Sequence, residues 1–210
     1  MTALNIVCFG FGQVAKNFIK KLNYEGISFK LTTTSREETQ NKKLDDLNYQ
    51  SFQFTEKGFD KKLISKIEEA DHILISIAPV NGVDIVIRNF QNYLSPSKLK
   101  WITYLSATSV YGDHDGKWVD ENSETKPTSI NGIERLKIEK EWIQLSDKLN
   151  LPFQIFRLSG IYSNQYNILT RLKSGKAKIV NKKNHFFSRI HVEDIANILS
   201  NSLTQIKKNE

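Results

Sequence analysis

A short apolar run is followed at once by two glycines and an alanine at fixed spacing, and this junction constrains the fold more than any other feature. Asn5-Ile6-Val7-Cys8-Phe9 reads as a buried β-strand that stops at Gly10. Gly10-Phe11-Gly12-Gln13-Val14-Ala15 follows, and Val14, Ala15, Phe18, Ile19 and Leu22 then share one helical face. Gly10 permits a tight turn between strand and helix. Gly12 has no Cβ, so a ligand can come against the main chain, and Ala15 lets the helix pack close to the strand. The unbonded N–H groups and dipole of the first helical turn suit a pair of phosphates. Residues 10–15 are therefore predicted to hold a dinucleotide.

Strands and helices alternate through the rest of the chain. Ile27 to Thr34 reads as a second strand, residues 36–50 as a polar loop, and Ser51-Phe52-Gln53-Phe54 as a short third strand. Leu63, Ile64 and Ile67 mark a helix. Asp71 to Ala78 reads as a nearly continuous apolar strand stopped by Pro79. Val83, Val86, Ile87 and Phe90 mark the next helix, and Trp101 to Leu105 another buried strand. Residues 112–129 form a long polar loop, a length usually kept for function. Residues 130–149 carry Ile133, Leu136, Ile138, Trp142, Ile143, Leu145 and Leu149, a stripe wide enough to predict a well-buried helix. Phe153 to Leu158 is a strand, and Ile168, Leu169 and Leu172 suit a short helix. Phe186 to Val192 is extended, and a last helix turns Ile195, Ala196, Leu199, Leu203 and Ile206 inward. The strands are continuously apolar, so helices must cover both sheet faces. The fold class is α/β, a doubly wound parallel sheet of the Rossmann type. A dinucleotide-binding core over 1–160 and a small C-terminal substrate lobe over 161–210, returning one helix to the core, are the predicted divisions.

Composition narrows the function. No apolar run approaches the roughly 18–20 residues of a membrane span. The N-terminus has no basic segment before its apolar run, so no secretory signal is expected. A single Cys8 rules out an internal disulfide framework and a multi-cysteine zinc site, and no metal is expected. A cytoplasmic location fits. The net charge of +7 is concentrated: residues 148–192 carry nine Lys or Arg and no Asp or Glu. One reading is compositional, since Lys outnumbers Arg 24 to 6. The other is a basic surface facing a small anionic ligand. Lys173 to Lys183 interleaves neither aromatics nor Arg, which argues against a nucleic-acid groove.

The end of the second strand selects the cofactor. An acid there would bond the ribose 2′-hydroxyl of NAD, whereas an Arg accepts the 2′-phosphate of NADP. The strand ends Thr34-Ser35-Arg36. Ser35 can donate to a phosphate and Arg36 can form bidentate, charge-assisted bonds. NADP is preferred, with NAD the alternative. The competing role for Arg36 is a loop ion pair with Glu37 or Glu38. Ser76-Ile77-Ala78 should line the adenosine side.

Three further motifs carry a family resemblance. Together with the opening turn, Leu105-Ser106-Ala107-Thr108-Ser109-Val110-Tyr111-Gly112-Asp113, Arg157-Leu158-Ser159-Gly160-Ile161-Tyr162 and Ser188-Arg189-Ile190-His191-Val192-Glu193-Asp194 resemble the extended short-chain dehydrogenases/reductases. More closely, the chain resembles the atypical branch of nucleoside-diphosphate-sugar epimerase-like proteins, the NAD(P)-dependent epimerases/dehydratases, over essentially its whole length. The resemblance implies oxidoreductase or isomerase chemistry by a Ser or Thr with a Tyr-x-x-x-Lys, where the Tyr is general acid/base and the Lys lowers its pKa. Carried onto this sequence, the hydroxyl position holds Ala107, the Tyr position Asn131 and the Lys position Arg135. All three are altered. Asn131 cannot transfer a proton near neutral pH, and Arg135 can bind ribose or phosphate but stays charged.

Three readings follow. The protein binds NADP and runs a redox or epimerase step with other residues, of which Thr108, Tyr111 and Arg135 are the candidates with Asp113, His114 and Asp115 nearby. Alternatively it is a non-catalytic, cofactor-binding sensor or scaffold, with Tyr111 only packing at the strand end. In the third, residues 148–192 bind nucleic acid. The resemblance also implies a substrate-diphosphate contact at Arg189, two residues beyond the usual position but on the same strand face. Asp194 is expected to cap the last helix. Family members continue beyond this helix, so the lobe is either reduced or cut short here. Apolar surface left open by that would favour a homodimer.

Overall fold

The computed structural model describes residues 3–177 and 186–203. Lys178, Lys182, Lys183, Ile206 and the Lys207–Glu210 end lie outside the described residues. β1 (Leu4–Phe9) leads into α1 (Gln13–Tyr24), β2 (Phe29–Ser35), β3 (Gln40–Leu44), β4 (Leu47–Thr55) and a short β5 (Gly58–Phe59). Then come α2 (Leu63–Glu69), β6 (His72–Ile75), α3 (Ile85–Phe90), β7 (Trp101–Ala107), α4 (Ile130–Leu149) and β8 (Phe153–Leu158). The chain finishes with β9 (Gly160–Tyr162), α5 (Ile168–Lys173), β10 (Arg189–His191) and α6 (Val192–Ser202).

The main sheet runs β3-β4-β2-β1-β6-β7-β8, with β5 beside β4. From β4 to β8 every pairing is parallel, and β3 is antiparallel on the outer edge. Strand order reverses between β1 and β6, which is where a doubly wound sheet opens a ligand crevice at its carboxyl edge. Side-chain alternation divides β1 between two cores. Val7 and Phe9 join Phe52, Ile73, Phe90 and Trp142 under α2, α3 and α4. Ile6 and Cys8 join Phe18, Leu74, Trp101 and Leu199 under α1 and α6. The five apolar residues assigned to α1 from the sequence are its five buried ones.

Three expectations change. Residues 36–50 are not a loop: β3 and β4 form a hairpin turned by Asp45-Asp46, with Asp45 left-handed at φ 51°. Polar Gln40 to Lys43 suffices there because β3 is an edge strand with little to bury. The strand expected over 71–78 ends at Ile75, after which Ser76 turns its hydroxyl back to the Phe9 and Gly10 carbonyls. The face of α4 is also rotated. Ile133 and Ile143 are exposed, while Gly132, Ile138, Glu139, Trp142, Leu145 and Ser146 are buried. An ion pair inside the fold, described next, draws Glu139 inward.

Candidate functional site

The turn after β1 opens at the switch point. Gly10 has φ +83°, and its amide donates to Thr34 Oγ1 at 2.9 Å. A Cβ on Gly10 would lie 2.7 Å from Ile77 Cγ2 and 3.0 Å from Ser76 Oγ, so the segment just after β6 and this turn meet across a hydrogen atom. Gly12 is the reverse case: a Cβ there would have no neighbour within 4 Å. Gly12 is the N-cap of α1, no side chain caps that helix, and its first turn has no acid. Helix amides beside an open space, with no capping side chain among the described residues, fit a phosphate pair. Val14 and Ala15 are buried against the sheet, Phe11 packs on Tyr49 at 4.9 Å between ring centres, and Gln13 accepts from Ser163 at 3.4 Å. Ser76 and Ile77 are half-buried opposite Gly10, and Ala78 is exposed. A hollow of about 410 Å³ lies alongside, lined by Gln13, Lys16, Lys20, Ser163 and Tyr166 among others.

At the end of β2, Ser35 Oγ accepts from Ser51 at 3.3 Å and Arg36 is exposed. Glu37 is taken by Lys42, which holds its carboxyl below the usual range. Arg36 forms no ion pair among the described residues, so its guanidinium is open to a phosphate.

The corner between β7, β8 and α4 differs. The Arg157 guanidinium makes three contacts of 2.9–3.3 Å to the Glu139 carboxylate. Glu139 is 1% exposed. Arg157 also donates to Tyr111 Oη at 3.1 Å and stands 4.9 Å from the centre of its ring. Despite burial, these partners hold the guanidinium's pKa above its usual value. Tyr111 is thus buried and engaged. Arg135 donates to the Leu105 carbonyl at 3.2 Å, and Asn131 is exposed. Ala107 ends β7, and Thr108 sits half-buried in the short 3-10 turn Thr108–Val110. His114 bonds the Tyr111 and Glu124 carbonyls and ties the middle of the 112–129 loop to its start. Nearby, Asp84 caps α3 through the Val86 and Ile87 amides and accepts from Trp142 Nε1 at 2.9 Å. Burial pushes its carboxyl upward against those bonds.

Gly132 sets the closeness of α4 to this corner. A Cβ on it would fall 2.5 Å from the Ser109 carbonyl oxygen and 2.9 Å from Pro127 Cβ. Sequence reasoning missed the Arg157–Glu139–Tyr111 group and the Asp84–Trp142 pair. These partners are 18 to 58 residues apart, and no local spacing marks them.

Arg189 lies on β10 across from Gly160, whose missing Cβ leaves room for its side chain. It stands over the Phe187 ring at 5.0 Å and forms no ion pair among the described residues. Asp194 is not a cap: α6 starts at Val192 with His191 as N-cap, and Asp194 falls in the first turn, where it favours the helix dipole. Among the described residues no helix is long and apolar enough to cross a membrane.

Solved structures share this architecture. A conserved protein of unknown function from Silicibacter pomeroyi is 29% identical, with a TM-score of 0.75 over 99% of this chain and 70% of that one. UDP-glucuronic acid 4-epimerase from Bacillus cereus, solved with UDP-glucuronic acid and NAD, is 14% identical with a TM-score of 0.74 over 97% of this chain and 74% of that one. The fold is that of the sugar-nucleotide epimerases and dehydratases. A dTDP-glucose 4,6-dehydratase from Bacillus anthracis, solved with NAD, extends the likeness at 15% identity and TM-score 0.72, over 99% of this chain and 74% of that one. No family model and no curated protein matches the sequence. At the level of fold, the resemblance read from the motifs and the doubly wound class are both borne out.

Proposed function

We propose that the chain binds a nicotinamide dinucleotide, NADP in preference to NAD, and acts on a small anionic substrate of the nucleotide-sugar class by redox or epimerase chemistry. The observation that carries this reading is the open space at Gly12 before an uncapped helix, at the point where the sheet order reverses. Residues 10–15 would hold the diphosphate. Ser35 and Arg36 would hold the 2′-phosphate, and Ser76, Ile77 and Ala78 would line the adenosine. The bound nicotinamide would supply or accept hydride. Arg189 and the basic residues of 148–192 would attract and orient the substrate's phosphates. Thr108, at the end of β7, would orient a substrate hydroxyl, and Arg135 would contact ribose or phosphate. The division at residue 160 separates the cofactor core from the segment that would meet substrate.

A second reading has its own support. Asn131 cannot exchange a proton, and Tyr111 is bound to Arg157. A protein that binds the dinucleotide and turns nothing over fits those two facts. Fluorescence titration with NADPH and NADH tests the common premise, and equal, negligible affinity for both would remove it. Mixing the NADP⁺- or NADPH-loaded protein with sugar nucleotides and following nicotinamide absorbance and sugar products then separates the two. Turnover supports the first reading, and an unchanged mixture supports the second.

A further inference from the structure

Two Asn-Gly pairs occur in the sequence, Asn81-Gly82 and Asn131-Gly132. In such a pair a side-chain amide meets the least shielded main-chain nitrogen, because glycine carries no Cβ beside it. Both asparagines are exposed, but their main chains differ. Asn131 lies in the first turn of α4, and the Gly132 N–H already donates to Ser129 Oγ at 3.2 Å. Gly132 also packs against the Ser109 carbonyl with no room for a Cβ. Asn81 and Gly82 instead form the tip of a turn between β6 and α3, left-handed at φ 51° and 71°. The Val80–Val83 pair closes this turn through main-chain bonds of 2.9 and 3.1 Å, and Lys137 of α4 donates to the Gly82 carbonyl at 3.3 Å. Among the described residues, neither the Asn81 side chain nor the Gly82 N–H has a hydrogen-bond partner.

We propose that Asn81 is a deamidation site of the folded protein, and that Asn131 is protected by its helix. The reaction needs only water. The Gly82 nitrogen gives its proton to solvent and bonds to Asn81 Cγ, and the side-chain nitrogen leaves as ammonia. Water then opens the cyclic imide. Cleavage at the former side-chain carbonyl leaves aspartate, and cleavage at the main-chain carbonyl leaves isoaspartate. Attack requires Asn81 to swing its Cγ onto the Gly82 nitrogen. In the 80–83 turn this costs the two bonds of the Val80–Val83 pair, a local opening from the low end of the stability range. At Asn131 it costs the first turn of a 20-residue helix together with its serine cap. Isoaspartate adds one carbon to the main chain three residues before Asp84, so the Val80–Val83 pair loses its register. The new carboxylate also joins Glu134 of α4, which already borders Gly82. Modification therefore loosens the turn that follows Ser76, Ile77 and Ala78, whatever ligand the chain binds.

Ageing the full chain in mildly alkaline buffer, folded and in urea, with peptide mass spectrometry at intervals, tests this. In urea the two pairs should react alike. In the folded protein Asn81 should react at least about 10-fold faster than Asn131, the ratio a helix turn and its cap impose. The Asn81 peptide should divide into aspartyl and isoaspartyl forms. The isoaspartyl form should accept a methyl group from S-adenosylmethionine when an isoaspartyl carboxyl methyltransferase is added as probe, and Asn81→Ser should abolish that acceptance in the aged, folded chain. An Asn81 that stays intact in the folded chain while the unfolded chain reacts, equal rates at the two asparagines, or methyl acceptance that survives Asn81→Ser would overturn the inference.

Discussion

The turn after β1 and the corner between β7, β8 and α4 flank the same crevice, yet they are built on opposite terms. The turn is defined by side chains that are missing: Gly12 faces empty space and Gly10 leaves no gap to Ser76 and Ile77. The corner is filled: a buried carboxylate, a guanidinium and a phenol satisfy one another, with Glu139 four residues beyond Arg135 on the same helix. The two regions should therefore fail differently when altered.

The largest effect is expected from Arg157→Ala. It strands Glu139 in the interior without its cation, and losing one partner of a buried pair costs about 3–5 kcal/mol. Urea unfolding should show that loss, while the fraction still folded binds dinucleotide normally. Equal stability to wild type would mean that the corner is less closed than described. Gly12→Val should do the converse. Its side chain meets nothing in the protein but occupies the phosphate space, so affinity should drop on the order of 100-fold, about 2.7 kcal/mol, at unchanged Tm. Retained affinity would put the dinucleotide elsewhere. Arg36→Ala is expected to weaken NADPH by roughly 10-fold and leave NADH alone, the scale of one charged hydrogen bond. Titration with both cofactors checks it, and a parallel loss for NADH would refute the 2′-phosphate role.

The smallest effect serves as a control remote from both regions. His72 is buried, which holds its pKa below the usual imidazole range although Asp71 opposes this. The unfolded chain therefore takes up that proton first. Stability contributed by neutral His72 is full above the ordinary imidazole pKa, about 6.5, and declines as pH falls through the lower native value. Urea midpoints at pH 7.5 and 5.5, compared with those of His72→Gln, should show a shallower pH dependence in the variant. Identical slopes would remove His72 as the cause.

What the sequence made legible follows from locality. β1, β7 and β8 were readable because parallel central strands must be apolar on both faces. The spacing of α1 named its buried residues, and the glycine turn lies within six positions. The β3–β4 hairpin was hidden because an edge strand needs no apolar pattern and Asp-Asp is a weak turn signal beside Asn-Gly. The orientation of α4 was hidden for another reason. Apolar count favoured Ile133 and Ile143, but the helix turned Glu139 inward to reach Arg157, a partner on a later strand. Within the candidate site, the glycine turn was local and so visible. The occupation of Tyr111 is a tertiary fact, with no trace at position 111 itself.

Gly132 has a consequence for anyone reshaping this protein. With the Ser109 carbonyl only 2.5 Å from where a methyl group would stand, one hydrogen atom fixes the clearance between the long helix and the strand end. Positions 131 and 135 ride on that helix, one residue before this contact and three after it. A tyrosine and a lysine grafted there would inherit a spacing already set, whereas alanine at 132 would lever both away from the sheet.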